Sequence, residues 1–304
     1  MENNYHTPVL LSECIEGLAI KPNGVYVDVT FGGGGHSREI LKHLNSDGVL
    51  VAFDQDPDAQ RNIVPDERFK FVDQNFSHLK NNLRLLGYRQ VDGILADLGV
   101  SSHQFNEAGR GFSTRYDADL DMRMDQQREL TAAVVLNTYD EAKLHKIFGL
   151  YGEVKNAKSL AKAVVTARLR EPIKTLSAFK GAISTLIPKG KENKYMAQVF
   201  QALRIEVNSE IEVLEKFLLQ AAEVLKPGGR LVVISYHSLE DRPVKNFMMK
   251  GKFSGELEKD FYGNSQKPLE MITRKAILAS EEELLRNTRS RSAKLRIAEK
   301  LDKS

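Results

Sequence analysis

The sequence holds one cysteine, Cys14, in 304 residues. A single thiol can form no intramolecular disulfide and no cysteine-rich zinc ribbon. No apolar run approaches the 18 or so residues of a membrane span. The N-terminus, with Glu2, His6, Glu13 and Glu16, lacks the basic start and apolar stretch of a signal peptide. No repeat or low-complexity tract is present. His36 has no ligand cluster around it in the sequence, so no metal is expected. What is there is a balanced chain, 41% apolar and 28% charged, with a net charge of +3. That composition excludes a wholly disordered chain and supports a sizeable core. The expectation is a cytoplasmic, soluble protein with one large domain or two intergrown ones; its oligomeric state is not legible.

The small net charge hides a segregation. From Arg242 onward there are 15 basic and 9 acidic residues, whereas the preceding residues hold 29 basic and 32 acidic. Within that acidic part, residues 155–194 carry 10 basic side chains against only Glu171 and Glu192. A second cluster is Arg286, Arg289, Arg291, Lys294 and Arg296. Two such patches suit a polyanion, most naturally a nucleic acid, although charge runs taken alone are commonly solvated helix faces.

The first hundred residues alternate short apolar strands with helical patterns, as a parallel α/β sheet requires. Strands are predicted over 25–29, 49–53, 69–72 and 91–96. Helical patterns follow the first strand at 36–44, open at Pro57 after the second, and run from Ser77 to Gly87 after the third. The last three strands end in Asp54, Asp73 and Asp97, and the first runs into Gly32-Gly33-Gly34-Gly35. From about residue 104 to 208 no convincing strand occurs, only helical patterns such as 157–169 and 195–206. The strand pattern returns after a helix over 209–225, where Lys226-Pro227-Gly228-Gly229 turns into a strand over 230–235. Two further strands are predicted over 269–277 and 294–299. The expected organisation is therefore one α/β domain, 1–104 and 209–304, interrupted by a helical insertion, 105–208.

In open parallel sheets ligands bind at the carboxyl ends of the strands. Consecutive glycines after a strand let backbone approach a ligand closely, and the helix that follows turns its positive end toward the loop. Asp54, 19 residues beyond Gly35, can accept hydrogen bonds from both hydroxyls of a ribose. Strand, loop, helix and spaced acid together indicate a nucleoside cofactor. The Gly-x-Gly-x-x-Gly spacing is absent, which weakens a dinucleotide, and no Gly-Lys-Ser/Thr ending is present, which excludes a P-loop. S-adenosylmethionine carries no phosphate and is favoured, with Asp73 and Phe76 available to adenine.

Several blocks then carry a likeness. They are Asn4-Tyr5-His6-Thr7-Pro8-Val9-Leu10, Thr30-Phe31-Gly32-Gly33-Gly34-Gly35-His36-Ser37, Asp97-Leu98-Gly99-Val100-Ser101-Ser102 and Arg110-Gly111-Phe112-Ser113. Further on come Leu120-Asp121-Met122-Arg123-Met124-Asp125, Phe200-Gln201-Ala202-Leu203-Arg204-Ile205-Glu206-Val207-Asn208, Ser235-Tyr236-His237-Ser238-Leu239-Glu240-Asp241-Arg242 and Arg289-Ser290-Arg291-Ser292-Ala293-Lys294-Leu295-Arg296. In this order, over nearly the whole chain, they resemble the bacterial RsmH family, formerly MraW, of small-subunit ribosomal RNA methyltransferases. The resemblance implies a Rossmann-like class I S-adenosylmethionine-dependent methyltransferase fold with a helical insertion. It implies methyl transfer to N4 of the cytidine at position 1402 of 16S rRNA. It further implies cofactor contacts at Gly34, Gly35, His36, Asp54, Phe76, Asp97 and Gln104. The sequence departs from the family's usual pattern at Val154-Lys155-Asn156-Ala157-Lys158-Ser159 and at Lys194-Tyr195-Met196-Ala197-Gln198, both within the insertion.

An amino group conjugated to a cytosine ring is a poor nucleophile, and an acceptor at its N–H localises the lone pair and takes the proton. Asp97 ends the strand beside the cofactor strand and can reach that point; equally, it can serve only to bind the cofactor's amino group. No Pro-Pro-aromatic follows it, so a ring to stack on the base must come from elsewhere, with Phe112, Tyr116 and Tyr236 as candidates. His237, Glu240, Asp241 and Arg242 follow a strand on the same edge, and either hold the target nucleotide or form a hydrogen-bonded brace. N4 lies on the pairing edge, so the cytidine must be unpaired, and a site in folded rRNA calls for a broad basic surface. The expected partner is 16S rRNA within an assembled or partly assembled 30S subunit. Two other classes fit parts of the pattern: an NAD(P)-dependent reductase using the glycine loop and Asp54, and a non-catalytic RNA-binding assembly factor.

Overall fold

Strands rich in Val, Ile, Leu and Phe on consecutive positions are suited to a sheet covered on both faces. In the computed structural model, which describes residues 8–259, 261–263 and 265–302, seven strands form such a sheet. They are β1 (Val25–Asp28), β2 (Val49–Phe53), β3 (Phe69–Val72), β4 (Val91–Asp97), β5 (Leu225–Ser235), β6 (Leu269–Met271) and β7 (Lys294–Lys300), in the order β3-β2-β1-β4-β5-β7-β6. The first five run parallel; β7 is antiparallel to β5 and to β6. The chain steps outward from β1 to β2 and β3, then returns to the other side of β1 with β4. That reversal opens a crevice at the carboxyl ends of β1 and β4, where open α/β sheets bind ligands.

Alternate residues of each strand feed two cores. One face gathers Val27, Val51, Phe53, Ile94, Leu231 and Val233, under side chains such as Leu83, Phe217 and Phe247. These come from α3 (Leu79–Leu85), α10 (Glu210–Val224) and α11 (Ser238–Lys250). The other face gathers Tyr26, Leu50, Leu95, Val232 and Ile297 under Cys14, Leu18 and Ile40, from α1 (Leu11–Leu18) and α2 (Gly35–His43).

Several expected elements take a different form. The pattern opening at Pro57 is a 3-10 turn, Pro57–Asn62, whose start is capped by the Asp56 carboxylate accepting the Asp58 N–H. The helix expected from Ser77 is a 3-10 turn, Phe76–His78, and only then α3. The turn Lys226-Pro227-Gly228-Gly229 is a bulge inside β5: Leu225 pairs with Val91 and Arg230 with Gly93, so four residues face Asp92 alone. Lys226 Nζ fills that place by donating to Asp92 Oδ2 at 2.6 Å. The strand expected over 269–277 is interrupted: β6 stops at Met271, and Ile277 makes an isolated bridge to Leu295.

The chain divides into two compact units, Met1–Gly99 with Ile211–Ser304, and Val100–Glu210. Gln104 therefore falls in the helical unit. That unit contains α4 (Ser102–Asn106), α5 (Ala132–Thr138), α6 (Glu141–Leu150), α7 (Ala157–Arg168), α8 (Leu176–Ile183) and α9 (Glu192–Asn208). Thr131, Asp140 and Thr175 cap three of them by accepting a first-turn N–H. The unit has its own core, with Phe148, Leu160, Phe179, Val199 and Leu203 at its centre. Asn208, at the end of α9, pins the 120–125 loop: its Oδ1 accepts the Met124 N–H at 2.8 Å and its Nδ2 donates to the Met122 carbonyl at 2.8 Å. Among the described residues no helix is long and apolar enough to cross a membrane.

Candidate active site

The glycine loop leaves β1 and enters α2 at Gly35. Gly34 takes a left-handed conformation, φ 74°, and a Cβ there would lie 2.9 Å from the Phe31 ring. At Gly35 a Cβ would lie 2.3 Å from Cγ of Pro8, so glycine alone fits beneath the N-terminal segment. The loop carbonyls are held from outside: Arg38 Nη1 donates to Gly33 O at 2.6 Å and Asn62 Nδ2 to Gly32 O at 3.0 Å. These contacts leave the loop backbone preset rather than pliable.

Asp54, just beyond β2, turns its carboxylate under this loop. Its Oδ2 accepts the Gly32 N–H at 2.7 Å and its Oδ1 the Asp56 N–H at 2.8 Å. Each oxygen has spent one lone pair on backbone, leaving acceptor capacity for a pair of hydroxyls. Burial pushes this carboxyl up to about 6, against the pull of the two N–H donors.

Asp97, the last residue of β4, stands in a denser set of groups. Its own N–H donates to Thr30 Oγ1 at 2.7 Å, the Tyr236 hydroxyl donates to its Oδ1 at 2.7 Å, and its Oδ2 lies 4.0 Å from His36 Nδ1. Asp97 retains 24% side-chain exposure. Burial raises it to about 6; the His36 imidazole and the Tyr236 hydrogen bond act against the rise, while Asp28 and Glu240 add to it. His36 is buried, and its Nε2 sits 3.0 Å from the Val9 carbonyl. A carbonyl only accepts, so Nε2 carries hydrogen and Nδ1 faces Asp97. Behind them Asp28, buried at the end of β1, accepts from Ser37 Oγ at 2.7 Å and from the Thr30 N–H at 3.1 Å. Its pKa is raised by burial.

The segment after β5 forms the start of α11. Glu240, 3% exposed, folds back so that Oε2 accepts the Tyr236 N–H at 2.8 Å while Oε1 lies 3.1 Å from His237 Nε2. Asp241 accepts from Arg296 at 2.7 and 3.1 Å, tying α11 to β7, and its pKa is held down by that guanidinium despite burial. These contacts are those of a brace, and they deliver Tyr236 to Asp97.

The structure thus gathers Gly34, Gly35, His36, Asp54, Asp97, His237 and Glu240 within the α/β unit. Phe76 is there too, half-buried, its ring 5.3 Å from that of Phe217 in an edge-on contact. Asp73 is exposed and accepts from Gln60 Nε2 at 2.8 Å. Gln104 sits in the helical unit, where it closes a capping box with Ser101 at the start of α4. Of the three stacking candidates, Phe112 is buried in the helical unit's core, Tyr116 is exposed and the Tyr236 hydroxyl is taken by Asp97. In the blocks cited from the sequence, residues 4–7 lie outside the described residues. Sequence reasoning missed Asp28 and the Asp97–Tyr236 bond; the acid nine residues before Ser37 was a usable signal for the first.

The profile of the MraW methylase family matches residues 3–301. A ribosomal RNA small subunit methyltransferase H of Cytophaga hutchinsonii is 58% identical over 298 residues, 97% of this chain and 99% of that protein. One of Christiangramia forsetii is 57% identical over 297 residues, 98% of each. A solved rRNA methylase from Streptococcus thermophilus superposes with a TM-score of 0.39 at 12% identity, covering 96% of this chain and 94% of that one.

Proposed function

We propose, from the premise that the chain belongs to the MraW methylase family, that it transfers a methyl group from S-adenosylmethionine to N4 of cytidine 1402 in 16S rRNA. The carrying observation is the crevice at the switch point of the sheet, where the glycine loop, Asp54 and Asp97 converge. The donor set suits this cofactor. Asp54 retains acceptor capacity for a ribose diol, and Asp28, Asp54 and Asp97 favour a cationic sulfonium over an anionic pyrophosphate. Arg38, beside the loop, is turned onto the carbonyls of Gly33 and Asn62. Gly34, Gly35, His36 and Phe76 would line the remaining contacts.

When bound, S-adenosylmethionine supplies the methyl as an electrophile. The chain's task is to make the cytosine amine a competent nucleophile and hold it in line. Asp97 accepts the amine N–H through Oδ2, localising the nitrogen lone pair, and takes the proton lost on transfer. Tyr236 and His36 flank that carboxylate, and Glu240 and His237 fix the turn that presents Tyr236. The basic face of residues 155–194 docks the RNA, whose natural form is the 30S subunit, with Arg286 and Arg291 exposed in the second cluster; Arg296 of that cluster is buried and paired with Asp241 instead. The test is tritiated methyl transfer to 30S subunits lacking this modification, followed by nucleoside analysis. Label in N4-methylated cytidine is the expected result; cofactor binding with no label in RNA would overturn the reading.

A further inference from the structure

We infer that Tyr236 is the positioning residue of this transfer: its phenol ties down Oδ1 of Asp97 and leaves Oδ2 as the acceptor presented to the reacting amine. The inference rests on the role given to Asp97 above and adds the group that orients it. Tyr236 is fixed at both ends. Its N–H is bonded to Glu240 Oε2 at 2.8 Å, and its hydroxyl to Asp97 Oδ1 at 2.7 Å. Its ring packs beside Gly99, whose added Cβ would lie 3.5 Å from Cδ2, so the chain leaving Asp97 passes against the ring. A phenol has one hydrogen to donate, and here it goes to a carboxylate at charge-assisted distance. The carboxylate cannot then rotate to offer Oδ1 to substrate without losing that bond. Burial and the adjacent Asp97 push the phenol well above its usual range, so it stays a donor and is not itself the base.

The groups facing Asp97 are His36 from α2, Asp28 from β1, Glu240 from α11 and Cys14 from α1. Asp28 and Glu240 oppose its ionisation, while Tyr236 and, when its ring is protonated, His36 support it. The substitution Tyr236→Phe keeps the ring and removes the hydroxyl. In the cofactor-free protein, the 13C titration of the Asp97 carboxyl should move up by roughly one unit, because a bond to the charged form is lost. With 30S subunits, kcat should fall roughly tenfold to a hundredfold, the acid limb of its pH profile should move up in parallel, and cofactor Kd should stay within about twofold. An unshifted titration, or a shifted one with wild-type kcat and acid limb, would overturn the inference. Asp97→Asn separates the two levels. Full kcat in that variant removes the premise about Asp97 itself. Loss of transfer with cofactor Kd retained supports the premise and lets the Tyr236→Phe result decide the inference.

Discussion

Asp54 and Asp97 are both raised to about 6 chiefly by burial, yet the structure surrounds them differently. Among the described residues Asp54 is held by backbone N–H groups and Asp97 by a phenol, with the His36 imidazole 4.0 Å away. A carboxyl whose folded value lies above its unfolded one binds protons more tightly when folded. The stability it contributes is full below about 3.8 and is lost as pH rises through about 6. The cofactor-free protein is therefore strained by these two charges at neutral pH. Hydroxyl donors that meet ionised Asp54 relieve part of that strain, and they cannot do so once it is protonated. S-adenosylmethionine affinity should then be flat above pH 7 and fall toward tenfold per unit below about 6. Calorimetric titration at pH 5, 6 and 7.5 measures this directly. Asp54→Ala should bind roughly ten to a hundredfold more weakly at pH 7.5 and keep only the part of the pH dependence that Asp97, also raised to about 6, supplies; a variant that kept the full slope would assign it to another group.

At the scale of elements, α11 shows how a polar start can be built into a core helix. Glu240 and Asp241 lie in its first turn, where carboxylates complement the helix N-terminus. Glu240 also satisfies the Tyr236 N–H. Glu240→Ala removes that acceptor from a buried place and should cost about 1–3 kcal/mol in urea unfolding. Glu240→Gln keeps an acceptor oxygen for the N–H and should recover most of the loss; equal destabilisation by both would mean that the charge, not the bond to Tyr236, holds the turn. Little of this was legible in sequence. The strands β1 to β4 were, because each is a short apolar run closed by a glycine or an acid, and their ends located the crevice. The helix α11 was not, since Pro243 and a polar first turn blur its periodicity. The overlong strand at 269–277 misled because Met271 and Ile272 are adjacent apolar residues, and the chain leaves the sheet where the alternation breaks. Gly34, Gly35 and Asp54 could be found by spacing along the chain. Pairing Tyr236 with Asp97, 139 residues apart, needed the fold.

At the scale of the whole molecule, the helical unit interrupts the sheet's sequence between β4 and β5 yet carries its own core. The burial pattern of α7 leaves a basic face outward. Ala157, Leu160, Ala161 and Val164 face inward, while Lys158 and Lys162, four apart on one side, are exposed, as is Lys155 just before the helix. A merely solvating face would mix signs, but between Lys155 and Lys194 acids occur only at Glu171 and Glu192. If these three lysines meet phosphates, each releases condensed counterions on binding, and the logarithm of the binding constant falls with the logarithm of salt by about 0.7–0.9 per contact. Replacing Lys155, Lys158 and Lys162 by Gln should therefore lower the salt slope of 30S binding by about 2–3. Cofactor affinity should be unchanged, because none of the three lysines is among the residues assigned to the cofactor. Filter binding across a salt series reads the slope. A variant that binds more weakly with the wild-type slope would place the loss in folding of α7, and one with both slope and affinity unchanged would remove this face from the RNA interface.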